Sequence, residues 1–244
     1  SAAKLALCVA AASFLCGCSP ASIRPRAAEP FIIYRLRLSD PRFNVVHVEA
    51  FVYGFGGGRL VLIAPEDETG ERLEPLNLSA AAAGRRLEVR GREEGWRIKA
   101  EGPDFSFAYD VVLTIENPYA DDVRSMLTLV EDDRCRIVGR DVFLVPDAPF
   151  ASGVLVDADL FAGRGLSSSA PAVRTRVIVP GVEELQRTMI ACGAFRFLAR
   201  EIGGTTLSLA IADEWSFDDE EFFDVICRLV AEEIFLLGPP PHER

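Results

Sequence analysis

The chain has 244 residues, of which 49% are hydrophobic and 26% charged, with a formal net charge of −11. Such a composition belongs to a folded protein and excludes a disordered one, and the length holds one large domain or two small ones. The negative balance excludes nucleic acid as a partner, because a polyanion is repelled, and the basic residues, nearly all Arg, alternate with Glu and Asp so that no basic stripe is visible along the chain.

Residues 1–17 read as a lipoprotein signal peptide. Lys4 supplies the positive start, and Leu5–Leu15 is an apolar run too short to span a bilayer. Leu15-Cys16-Gly17-Cys18 resembles a bacterial lipoprotein box with Cys18 as the lipid-attachment residue, although Cys16 is an unusual occupant. An ordinary secretory signal is the other reading. Acyl chains at about 0.8 kcal/mol per buried CH₂ would anchor the protein firmly to a membrane. Ser19 after the cysteine favours the outer membrane of a bacterial cell envelope, facing the periplasm. Residues 18–30 carry Pro20, Pro25 and Pro30 and read as a flexible tether.

Residues 31–180 read as an all-β domain, an antiparallel sandwich or curved sheet. Tyr34–Leu38 alternates as a strand closed by Ser39-Asp40-Pro41, and Val45–Tyr53 places Val46, Val48, Ala50 and Val52 on one face. Gly54–Gly58 is glycine-rich but leads into the strand Arg59–Ile63. A phosphate-cradling loop needs a following helix, so this is a turn. Leu87–Val89 and Trp96–Ile98 flank Gly91–Gly95 as a hairpin. In Phe105–Glu116 the residues Phe105, Phe107, Tyr109, Val111, Leu113 and Ile115 alternate without a break, one face buried and the other wet. Further strands are expected at Leu127–Val130, Ile137–Val138, Val142–Val145, Val154–Val156 and Val173–Val179, with a loop at Gly163–Pro171. Beyond the signal and anchor cysteines, Cys135, Cys192 and Cys227 allow one disulfide at most and read as buried thiols.

Residues 181–244 form a small α+β segment. Val182–Met189 is a short helix or turn. Phe195–Arg200 and Thr206–Ala212 are strands about an Ile-Gly-Gly-Thr turn, and Ser216–Leu237 is an amphipathic helix. Ser216 is the expected N-cap, and the acidic run Asp218, Asp219, Glu220, Glu221 and Asp224 suits the positive end of the helix dipole. Adjacent side chains fan around a helix, so this run is not a metal site. Phe222, Phe223, Ile226, Leu229, Val230, Ile234 and Leu237 make the apolar stripe, ended by Gly238 and Pro239–Pro241.

The strand, Ile-Gly-Gly-Thr turn, strand and capped helix ending Leu-Gly-Pro-Pro-Pro resemble the start of a gluzincin catalytic domain. Tyr34-Arg-Leu-Arg-Leu38 before Asp40-Pro41, Gly95-Trp96 and Phe107-Ala-Tyr109-Asp-Val111 resemble the N-terminal β domain of glycyl-aminopeptidase-type, PDZ-containing peptidases. The resemblance spans roughly residues 31–241. It implies a peptidase whose zinc is held by His-Glu-x-x-His on a later helix. That motif is absent: the two histidines are His47, inside an expected strand, and His242, near the end. No catalytic, cofactor-binding or metal-binding residue is therefore assigned, and no cofactor is expected. Ser167-Ser168-Ser169 lacks the Gly-x-Ser-x-Gly setting of a serine hydrolase.

Two functions remain. The chain corresponds to the non-catalytic N-terminal region of a lipid-anchored aminopeptidase-like metallopeptidase, inactive by itself. Alternatively, it is a free-standing envelope lipoprotein whose β domain binds a peptide, glycan or protein. The expected partners are a membrane through the lipidated N-terminus and a protein or second copy through the C-terminal helix.

Overall fold

A computed structural model describes residues 30–40, 45–64, 73–92, 95–113, 128–148, 150, 154–158, 160–161, 164–170, 172–212 and 214–238. The expected signal peptide, Cys18, most of the tether, Thr114–Glu116, Leu127 and His242 lie outside those residues.

In chain order the elements are β1 (Phe31–Asp40), β2 (Val45–Tyr53), β3 (Gly58–Ile63), β4 (Leu76–Ala82), β5 (Arg85–Arg86), β6 (Val89–Arg92), β7 (Gly95–Ala100) and β8 (Phe105–Val112). There follow β9 (Leu129–Val130), β10 (Arg134–Val138), the single-turn helix α1 (Gly139–Val142), β11 (Val145–Pro146), β12 (Val154–Asp157), β13 (Leu166–Ser168), β14 (Ala172–Val173) and β15 (Arg176–Val179). The chain continues through α2 (Val182–Arg187), β16 (Met189–Gly193), β17 (Arg196–Ile202), β18 (Thr205–Ile211) and α3 (Asp219–Leu237). An eight-stranded sheet runs β14-β15-β12-β1-β2-β8-β4-β5, two four-stranded sheets run β13-β16-β10-β9 and β11-β3-β7-β6, and β17-β18 is a separate hairpin. Every pairing is antiparallel except β1 with β12, where Ile32 faces Val154. The mainly-β expectation holds.

Alternating side chains build the large sheet. Val46, Val48, Ala50 and Val52 of β2 and Phe105, Phe107, Tyr109 and Val111 of β8 are buried, while the residues between them are partly exposed. Ile32, Tyr34 and Leu36 of β1 extend this face, and Leu60, Leu62 and Ile98 from β3 and β7 join the same core. Two tyrosines fasten the α1–β11 segment across it. The Tyr34 hydroxyl donates to the Leu144 carbonyl at 2.7 Å; the Tyr109 hydroxyl donates to the Val142 carbonyl at 3.0 Å and accepts from the Leu144 N–H at 2.8 Å. Burial pushes both phenols above their ordinary pKa. The Phe143 ring meets Tyr34 edge to face, centroids 5.1 Å apart.

Three local expectations change. Val142–Val145 is not one strand but the end of α1 and the start of β11, because the tyrosine hydroxyls take backbone groups that a strand would offer to a neighbour. α1 also needs Gly139: a Cβ there would lie 1.8 Å from the Leu185 carbonyl oxygen of α2. The Gly163–Pro171 loop contains β13, which pairs with β16 through Ser167 opposite Ala191, so ladder hydrogen bonds override the serine-rich turn signal. Lastly, α3 begins at Asp219 and its N-cap is Asp218 rather than Ser216: the Asp218 carboxylate accepts from the Glu220 and Glu221 N–H groups at 2.9 and 3.1 Å.

In the β13-β16-β10-β9 sheet, Cys135 stands directly opposite Cys192 and their sulfurs are 3.2 Å apart. Cys135, Cys192 and Cys227 are all buried free thiols.

Candidate functional site

A highly charged concavity lies on the outer face of β3, β7 and β6. Gly95 starts β7 at φ +141°, and a Cβ there would sit 2.1 Å from the Leu62 carbonyl oxygen, so the β6–β7 hairpin lies close against β3. With a period of two, the strands send Leu60, Leu62 and Ile98 into the core and Arg59, Arg97 and Lys99 to the opposite face. Arg59 is directly opposite Lys99, and Arg97 directly opposite Arg90. Together with Arg92 and Glu88 these residues line a groove of about 270 Å³. Glu88 is its one carboxylate among the described residues, and it is held by Arg90 at 2.5 Å from Nη2 and 2.6 Å from Nε. Nε of Arg97 is buried without a hydrogen-bond partner among the described residues. Glu93 and Glu94, between β6 and β7, lie outside the described residues.

The expectation of a uniformly mixed surface is thus corrected here. The acidic neighbours that separate these cations along the chain do not separate them across the strands.

The other residues weighed in the sequence fall elsewhere. His47 is paired across β2 and β8 with Asp110, Nδ1 to Oδ1 at 2.7 Å, and Asn77 donates to the other oxygen at 2.8 Å. Partial burial would raise the Asp110 carboxyl, but the hydrogen bonds from Asn77 and His47 outweigh it and hold the pKa below the ordinary value. The acidic start of α3 is spent on its own cap and on β17. Arg196 binds Asp219 through Nε at 2.5 Å and Nη2 at 3.1 Å, while Arg200 binds Asp224 at 2.5 Å and lies 5.3 Å from the Phe223 ring centre. Among the described residues, no group of three His, Cys, Asp or Glu side chains is placed to hold a metal ion.

The expected apolar stripe of α3 is only partly covered. Phe223 and Cys227 are buried and Ile226, Val230 and Ile234 half-buried, at helical spacing over the β17–β18 hairpin. Leu229, Phe235, Leu236 and Leu237 are 61, 84, 74 and 85% exposed. Two strands give too little surface to cover a helix this broad.

Comparison with solved structures decides the architecture. An aminopeptidase N family protein from Idiomarina loihiensis superposes with a TM-score of 0.69 at 13% sequence identity, over 87% of this chain and 38% of its own. The fold of this chain is therefore shared with part of that protein. An M1 zinc metallopeptidase mutant from Deinococcus radiodurans, bound to a Tyr-Ser-Ala substrate, is more distant, with a TM-score of 0.43 at 11% identity over 88% of this chain and 55% of its own. The present chain therefore spans about two fifths to just over half the length of these relatives. No family model and no curated relative matches the sequence. In this architecture the basic groove lies on the β-rich part, whereas the uncovered helix end lies at the C-terminal side of the described chain.

Proposed function

We propose that this chain is the non-catalytic N-terminal region of an aminopeptidase-like metallopeptidase, held at a bacterial envelope membrane by lipid on Cys18 and without peptidase activity by itself. The observation that carries the reading is the uncovered end of α3. The fold is shared with a protein more than twice as long, and the exposure of Leu229, Phe235, Leu236 and Leu237 supports a contact with the remaining, metal-bearing part of such a peptidase. Anchoring rests on the Leu15–Cys18 pattern. No helix among the described residues is long and apolar enough to cross a membrane.

The purified chain, supplied with zinc and a panel of aminoacyl-p-nitroanilides, is expected to release no product. Chelator-sensitive hydrolysis with stoichiometric zinc would overturn the reading. Labelled palmitate is expected to enter the protein and to be lost in Cys18→Ala. Equal labelling of that variant would remove the anchor. On size-exclusion chromatography the delipidated chain is expected to self-associate, and Phe235→Glu with Leu236→Glu to restore a monomer. A parent chain that elutes as a clean monomer would mean that the helix end is not a contact surface.

A further inference from the structure

We propose that the groove on β3, β7 and β6 is a binding site for a small phosphorylated anion. Its two directly opposed pairs, Arg59 with Lys99 and Arg90 with Arg97, set like charges against each other, a placement that destabilises a sheet. The groove concentrates five cations around one carboxylate, in a chain whose net charge is −11. A solvated face has no need of that arrangement; an anion with several oxygens removes its cost.

The chemistry of the lining selects the anion. Guanidinium groups are planar forks that engage phosphate oxygens in pairs, and they keep their charge at any physiological pH. Nε of Arg97 has no hydrogen-bond partner among the described residues, so this guanidinium is not already committed to a neighbour there. Among the described residues a single carboxylate neutralises too little: Arg59, Arg92, Arg97 and Lys99 remain in the lining after Glu88 has taken Arg90. The volume, about 270 Å³, is just below the roughly 300 Å³ at which drug-sized pockets begin. It suits one phosphate-bearing group and not a polymer. A flat anionic membrane would meet only the rim of a concave site.

Pyrophosphate is the probe, titrated calorimetrically into the full chain at low ionic strength. Saturable binding is expected, weakening as salt is added. Arg97→Gln and Arg59→Gln should each weaken it about tenfold or more, the loss of one charge-assisted contact. Glu88→Gln, which frees Arg90, should tighten it, whereas Arg187→Gln on the exposed end of α2 should leave it unchanged. Circular dichroism checks that each variant is folded. Sedimentation with phosphatidylglycerol vesicles separates the two sources of phosphate. Binding to pyrophosphate with the stated ranking supports the site. Absence of pyrophosphate binding, equal affinity in Arg97→Gln and Arg187→Gln, or binding to vesicles alone would each overturn it.

Discussion

Removing a single hydroxyl from Tyr109 should cost more than removing the one from Tyr34, although both rings are fully buried. Tyr109→Phe leaves two backbone groups without their partner, the Val142 carbonyl and the Leu144 N–H; Tyr34→Phe leaves one, the Leu144 carbonyl. An unsatisfied buried polar group costs about 1–3 kcal/mol. The expected losses are therefore about 2–6 kcal/mol for Tyr109→Phe and about 1–3 kcal/mol for Tyr34→Phe. Total stabilities are typically about 5–15 kcal/mol, so the larger loss can consume much of the fold's margin. Because both hydroxyls act on Val142–Leu144, the double variant should cost less than the sum of the singles. Urea unfolding followed by far-UV circular dichroism measures each difference, provided the slope with denaturant is unchanged. A Tyr34→Phe variant that loses as much as Tyr109→Phe, or a near-neutral Tyr109→Phe, would refute the idea that these hydroxyls fasten the α1–β11 segment.

Three further outcomes are expected. Gly139→Ala places a Cβ 1.8 Å from the Leu185 carbonyl oxygen, and should lower stability by about 3 kcal/mol or more through forced separation of α1 and α2; a wild-type melting temperature would show that the contact yields easily. A mild disulfide oxidant should join Cys135 to Cys192, whose sulfurs are 3.2 Å apart, before it joins either to Cys227, and peptide mapping that finds a Cys227 bridge instead would contradict the β10–β16 register. The Asp110 carboxyl has a folded pKa below the ordinary aspartate value, so its contribution to stability is fully present above that ordinary value and is lost as pH falls through the lower folded one. Acid unfolding of Asn77→Ala should consequently be less steep at the bottom of this range, and an unchanged acid limb would mean that the Asn77–Asp110 bond carries no net energy.

Much of the fold is readable from period alone. The unbroken alternation in β2 and β8 predicts which side chains are buried there, since one face meets the core and the other meets water. The Ile202–Thr205 turn and the helix after it are likewise visible, as glycine punctuation and a change of period from two to 3.6. What period cannot show is partnership. β13 looks like a loop because Ser167 and Ser168 have weak strand preference, and only β16 supplies the ladder that makes them one. The cap of α3 passes from Ser216 to Asp218 because two polar candidates stand two positions apart, and the path of the preceding chain selects between them.

The groove is the clearest case. Arg59, Arg90 and Arg97 are separated by tens of residues or by acidic neighbours, and only the pairings of β3 with β7 and β7 with β6 set them side by side. A sequence signal did exist in retrospect. Arg90, Arg92, Arg97 and Lys99 all occupy the outward positions of strands whose inward positions are Val89, Trp96 and Ile98.

The parallel pairing of β1 with β12 imposes an order on synthesis. β1 is near the middle of the eight-stranded sheet, yet it precedes every other described strand, and the residues opposite Ile32–Arg35 are Val154–Asp157. Until those residues leave the ribosome, β1 is an edge strand, with unpaired backbone groups on the side away from β2. Closing so long a loop is slow, so the nascent chain carries an open template for strand addition until β12 is made. A chaperone that holds extended segments would act on this protein at β1, and a substitution that weakens Val154–Asp157 would appear as aggregation of new chains before it appeared as a lower melting temperature.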